Sequence, residues 1–146
     1  EIRAQHDRFV EIVGREPDYF EAHAVMSKNL NRAISAVAQE LGLKEQKASF
    51  DPAAVVHCGD TDLRMVMRSM EPGYEPKEAI MQTVREMVDG ETVVFVCHPG
   101  YLDRFILENS SLTTDRTKEV DALIDPELRA WLESQSDLRL IDYRDL

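Results

Sequence analysis

The hydrophobic period of this chain switches repeatedly between helix and strand, and such alternation builds βα units rather than a helical bundle or an all-β sandwich. Residues 1–13 carry Ile2, His6, Phe9, Val10 and Val13 on one helical face, and Gly14 follows as a helix stop. Tyr19 to Val25 begins just after Pro17 and reads as a strand ending near His23. Leu30, Ile34, Val37, Ala38 and Leu41 recur at helical spacing as far as Gly42. Ala53 to Cys58, bounded by Pro52 and Gly59, reads as a second strand.

Between Asp60 and Gly73 the pattern fits a short helix or a loop, with Leu63, Met65, Val66, Met67 and Met70 as gap-filling core. A helix is predicted over residues 75–88, with Ile80, Val84, Met87 and Val88 turned inward. Thr92 to Cys97 is a continuous apolar, β-branched run, as in a strand buried on both faces. After His98-Pro99-Gly100 the chain turns helical again. Thr113, Thr114 and Asp115 are candidate N-caps for a helix presenting Val120, Leu123 and Ile124. Asp125-Pro126 reads as an N-cap with Pro at the first helical position, followed by Leu128, Trp131 and Leu132. Leu138 and Leu140 alternate with polar residues in a closing strand. The expectation is a single α/β domain over residues 1–146, with parallel strands alternating with helices.

Composition narrows the function classes. A net charge of −11, with 28 acids against 17 bases, excludes the basic face that phosphate binding needs, so nucleic acid is not a partner. No apolar run approaches the ~20 residues of a membrane span. Cys58 and Cys97 stand far apart, outside any Cys-x-x-Cys spacing, and read as free thiols in a reducing compartment. A cytoplasmic protein is expected.

In α/β folds chemistry collects where strands end and loops begin, and His23 and His98 both sit at such ends. His98, followed by Pro99 and Gly100, is well placed for acid–base work, or is a core histidine satisfied by a carbonyl. His23 follows Glu21 at a spacing of two, which puts both on one face of a strand. A carboxylate there can fix the tautomer of a metal-binding histidine; the alternative is an ion pair or a surface residue. A zinc site drawn from His57, Cys58 and Cys97 is conceivable, but the spacing matches no compact zinc motif.

Two stretches resemble a known family. Phe9 to Gly14 ("FVEIVG"), Pro17 and Glu21-Ala22-His23 resemble the "F…G…P…DSH" stretch of the YdjC-like (ChbG-type) carbohydrate deacetylases, and Ala38 to Gly42 resembles the end of the helix after it. "VFVCHPGYLD" is similar to the family's strand ending in a His-Pro pair. "SSLTTDRTKEVDAL" is similar to its Ser-rich loop with Arg, Glu and Leu in register, and "IDYRDL" to its closing strand. Residues 44–93 match poorly.

The resemblance implies the C-terminal portion of a larger domain, a partial (β/α) barrel of the YdjC-like type. It implies a metal-dependent hydrolase that removes N-acetyl groups from small chitin-type amino sugars, its substrate an N-acetylated oligosaccharide. A divalent metal ion, Mg or Zn, would be held by His23 together with an Asp and a His that this chain does not contain. His98 would be the general acid, and Arg116 would orient a site carboxylate. Glu21 replaces the family's Asp, and Val25 stands where the family has a histidine. These departures support the alternative, a degenerate, non-catalytic homologue that binds a sugar or a protein partner. A metal-dependent hydrolase acting on another amide or ester is a further alternative. The chain alone is expected to be inactive, and an unpaired edge near Tyr19–His23 is expected to recruit a second copy into a homodimer.

Overall fold

A computed structural model describes residues 1–22, 27–47, 49 and 54–146. They fall into two units: residues 1–64 with 141–146, and residues 65–140.

The first unit opens with α1 (Ile2–Val13), closed as predicted by Gly14 at φ 76°, whose N–H returns to the Val10 carbonyl. The predicted face is covered only in part: His6 is buried, whereas Phe9 and Val13 are exposed. Strand β1 (Tyr19–Glu21) leads to α2 (Lys28–Leu41), which starts at Ser27, whose hydroxyl accepts from the Leu30 N–H. Helix α2 buries Ile34, Val37 and Ala38, the i, i+3, i+4 stripe legible in the sequence. Strand β2 (Lys44–Gln46) then runs parallel to β1, pairing Tyr19 with Lys44 and Glu21 with Gln46. The segment β1-α2-β2 is therefore a βα unit of the expected kind.

The expectation of parallel strands does not extend to the next two. Strand β3 (Val55–Cys58) is antiparallel to β2, and β4 (Thr61–Val66) is antiparallel to β3. Residues Gly59 and Asp60 alone join β3 to β4, and two residues can close a hairpin but cannot carry a crossover helix. Gly59 takes the positive φ (58°) that such a turn requires. The helix or loop predicted after Asp60 is thus a strand, and Leu63 packs fully buried while Asp62 faces out. The order within the unit is β1-β2-β3-β4. His23 and Val25, like Ala53, lie outside the described residues.

The predicted closing strand does not form. Leu140 is exposed, and the last residues return to the first unit as an irregular tail. There the Tyr143 ring stacks on Tyr19, centroids 4.0 Å apart, and the Lys44 ammonium donates to the Tyr143 and Leu146 carbonyl oxygens. Burial pushes the Tyr143 phenol up to about 12.

The second unit takes in the last two residues of β4, Met65 and Val66, and β5 (Val93–Phe95); the Val96 N–H donates to the Val66 carbonyl at 2.8 Å. Four helices complete it: α3 (Pro76–Arg85), α4 (Arg104–Asn109), α5 (Thr114–Leu123) and α6 (Pro126–Glu133). Asp125 caps α6 as predicted, its carboxylate accepting from the Glu127 N–H at 2.8 Å. Two helices present a different face from the one predicted. Helix α3 buries Pro76, Ala79 and Thr83 and leaves Val88, beyond its end, exposed. Helix α5 buries Glu119 and Ala122, while Leu123 and Ile124 point to solvent. Residues of β5 are half-buried rather than enclosed on both faces. Among the described residues no helix is long and apolar enough to cross a membrane.

Candidate functional site

The chain leaving β5 carries Cys97, His98, Pro99 and Gly100, and its polar backbone needs partners once the strand ends. In an extended segment alternate N–H groups point the same way, here those of Val96, His98 and Gly100. Val96 reaches the Val66 carbonyl, a sheet partner. The His98 N–H donates instead to Glu119 Oε2 at 2.5 Å, and the Gly100 N–H to the Arg116 carbonyl at 3.3 Å. Helix α5 has taken over from the neighbouring strand. Pro99 has no N–H to place, which suits it to the position between.

Arg116 and Glu119 stand three residues apart on α5, so both reach the same stretch. Arg116 Nη1 lies 3.4 Å from the His98 carbonyl oxygen, and its Nε donates to the Leu112 carbonyl at 3.0 Å. The His98 residue is therefore held at its N–H by a carboxylate and at its C=O by a guanidinium. Its ring is half-buried, with Nδ1 inside.

Glu119 is 1% exposed, which decides its importance: a carboxylate this deep is tolerated only where hydrogen bonds replace water. Its second oxygen, Oε1, accepts from the Tyr74 hydroxyl at 3.0 Å. Burial, followed by that hydrogen bond, raises the Tyr74 hydroxyl well above its usual range, so it stays a donor. The Cys97 thiol is pushed up to about 11, first by burial and then by the Glu119 charge. A thiol that stays protonated at neutral pH is no nucleophile.

The structure thus brings His98 and Arg116, both predicted as site residues, to one place, and adds Glu119 and Tyr74. Glu119 entered the sequence reading only as a matching residue of "DRTKEVDAL"; the i, i+3 spacing from Arg116 is the signal that could have raised it. Among the described residues the Arg116 guanidinium donates to backbone carbonyls. His23, the predicted metal ligand, lies outside the described residues. His57 is exposed, its Nδ1 2.6 Å from Asp62 Oδ1, and Cys58 is buried, its thiol raised by that burial. Among the described residues no three His, Cys, Asp or Glu side chains come together as a metal site, so those residues do not by themselves fit a divalent cation.

Comparison with known proteins adds what geometry leaves open. The model of the family described as YdjC-like protein matches residues 1–134. The chain belongs to the YdjC-like family. It is 28% identical over its whole length to carbohydrate deacetylase 2 of Listeria innocua, covering 58% of that protein. It is also 28% identical to the chitooligosaccharide deacetylase of Klebsiella pneumoniae, of which it covers 60%. A 70-residue stretch, 47% of the chain, is 40% identical to a carbohydrate deacetylase of Listeria monocytogenes and covers 28% of it. The crystal structure of a provisionally named cellobiose-phosphate cleavage protein from Enterococcus faecalis superposes with a TM-score of 0.71 at 22% identity. That superposition covers 98% of this chain and 57% of the other, and it carries the fold: α/β, of the kind the resemblance implied. The chain spans a little under two thirds of the full-length relatives it matches end to end.

Proposed function

We propose that the protein of which this chain is part removes N-acetyl groups from small chitin-type amino sugars, with His98 as the general acid. The observation that carries this reading is the fixed His98 peptide at the end of β5, held at both its N–H and its C=O. A general acid must meet the leaving amine at hydrogen-bond distance, and a ring on a clamped backbone can be kept there. Amide hydrolysis needs a proton delivered to the nitrogen as the C–N bond breaks, and an imidazolium supplies it near neutral pH. The names borne by the full-length relatives support the substrate class.

His23 is proposed as a ligand for a divalent metal ion, Mg or Zn, with the remaining ligands outside the described residues. The substrate is an N-acetylated oligosaccharide, and the cytoplasm is the expected compartment. Among the described residues strand β1 stands at the end of the strand order, and a homodimer formed along it is proposed.

The full-length protein, incubated with N-acetylglucosamine oligomers, is expected to yield products lighter by one acetyl group, read by intact mass. Dialysis against a chelator should abolish the reaction, and His23→Ala should reduce bound metal. A metal-loaded protein that binds the oligomers and leaves them acetylated would favour the non-catalytic alternative.

A further inference from the structure

We infer that Glu119 is a positioning residue for His98, holding the histidine through its backbone from a helix rather than from a neighbouring strand. The inference rests on the reading of His98 as the acid, and it names the residue on which that role depends.

A strand is normally held by a neighbouring strand, whose carbonyls accept its N–H groups. Beyond Val96 that arrangement stops, since the His98 N–H goes to a side chain and the Gly100 N–H to a helix carbonyl. A bond from an amide to a carboxylate is charge-assisted, a stronger tie than one between neutral backbone groups. Tyr74 holds the opposite oxygen, so the carboxylate cannot swing without breaking a second bond. Arg116 closes the clamp at the His98 carbonyl. Glu119 is a costly choice if its task is to fill space, because leucine would fill the position without burying a charge. What the carboxylate supplies and leucine does not is an acceptor aimed at one peptide N–H.

Three variants of the full-length protein test this. Glu119→Ala removes the acceptor, Glu119→Gln keeps an oxygen without the charge, and Leu128→Ala is a control that loosens the same unit from a buried position (3% exposed) on α6. Because small misplacements of a reacting group cost up to ~10²-fold, Glu119→Ala is expected to lower kcat about 10²-fold with KM nearly unchanged. Glu119→Gln should recover about tenfold of that loss, and Leu128→Ala should leave the kcat of the folded fraction alone. Independently of activity, the His98 amide proton should resonate far downfield in the wild type, move upfield in Glu119→Ala and lie between the two in Glu119→Gln. An unmoved His98 amide, or equal kcat losses in Glu119→Ala and Leu128→Ala, would overturn the inference. If the wild type releases no acetate, the deacetylase reading fails, and the amide signal alone decides whether Glu119 holds His98.

Discussion

Two strands in this chain end in different ways. Strand β1, in the first unit, is held by repeated backbone pairing with β2 and by a stacked tyrosine from the tail. The exit of β5, in the second unit, is tied to α5 by two side chains, the buried Glu119 carboxylate and the Arg116 guanidinium. Distributed contacts tolerate single losses, because each is worth little and the others persist. A buried charge concentrates the work in one residue, whose removal leaves two donors without an acceptor. Single substitutions should therefore cost more at Glu119 than anywhere along β1.

The largest effect is expected at the site itself. His98→Ala should lower kcat of the full-length protein by roughly 10²–10⁴ while shifting its denaturation midpoint little, since the clamp acts on the backbone and not on the ring. Retained activity would separate His98 from the chemistry. Next, Glu119→Ala should destabilise the fold by about 3 kcal/mol in urea unfolding, with the His98 N–H and the Tyr74 hydroxyl both left unpaired. A cost under about 1 kcal/mol would mean that water replaces the carboxylate and that the second unit is as tolerant as the first. Tyr74→Phe removes only one of the two donors and should cost about 2 kcal/mol. In the first unit Tyr143→Leu keeps apolar bulk and loses the stack on Tyr19 and the phenol's hydrogen bond with Gln46, an effect of about 1–2 kcal/mol. If it matched Glu119→Ala, the contrast would be gone.

The smallest effect is a pH dependence in the first unit. His6 is buried, with Nε2 2.6 Å from Glu16 Oε2 and Nδ1 3.1 Å from Asp7 Oδ1, so the imidazolium has two carboxylate acceptors. Its pKa is raised, chiefly by the hydrogen bond to Glu16 and then by the one to Asp7. A raised folded pKa means a contribution fully present below the unfolded value of about 6.5 and lost as pH rises through the folded value. Stability of the wild type should therefore decline slightly over that window, and His6→Gln should flatten the decline. A variant that keeps the wild-type slope would assign the decline to other groups.

Much of this was legible in the residues. Gly14 and Gly42 end α1 and α2, Asp125 caps α6, and the stripe Ile34, Val37, Ala38 faces inward, because caps and apolar periodicity are local properties. His98 stands at a strand end for the same reason. The hairpin of β3 and β4 escaped notice because Met-rich residues after Asp60 obscured the alternation around Leu63, although Gly59-Asp60 was a turn signal in plain view. The closing strand failed on a tertiary condition. Alternating Leu138 and Leu140 offer a strand pattern, but a strand exists only where another supplies its hydrogen bonds.

Local sequence was enough for the glycine stops of α1 and α2, the Asp125 cap of α6, the α/β class and a histidine just beyond β5. Which face of α5 is buried depends on its neighbours in the folded chain. The apolar pattern pointed to Leu123 and Ile124, yet the helix turns Glu119 inward. Hydrophobic periodicity ranks residues by transfer from water, and on that scale a carboxylate belongs outside. It goes inside here because two donors from distant parts of the chain, the His98 N–H and the Tyr74 hydroxyl, meet at one point and need an acceptor. Such convergence is a property of the folded chain, and no window along the sequence contains it.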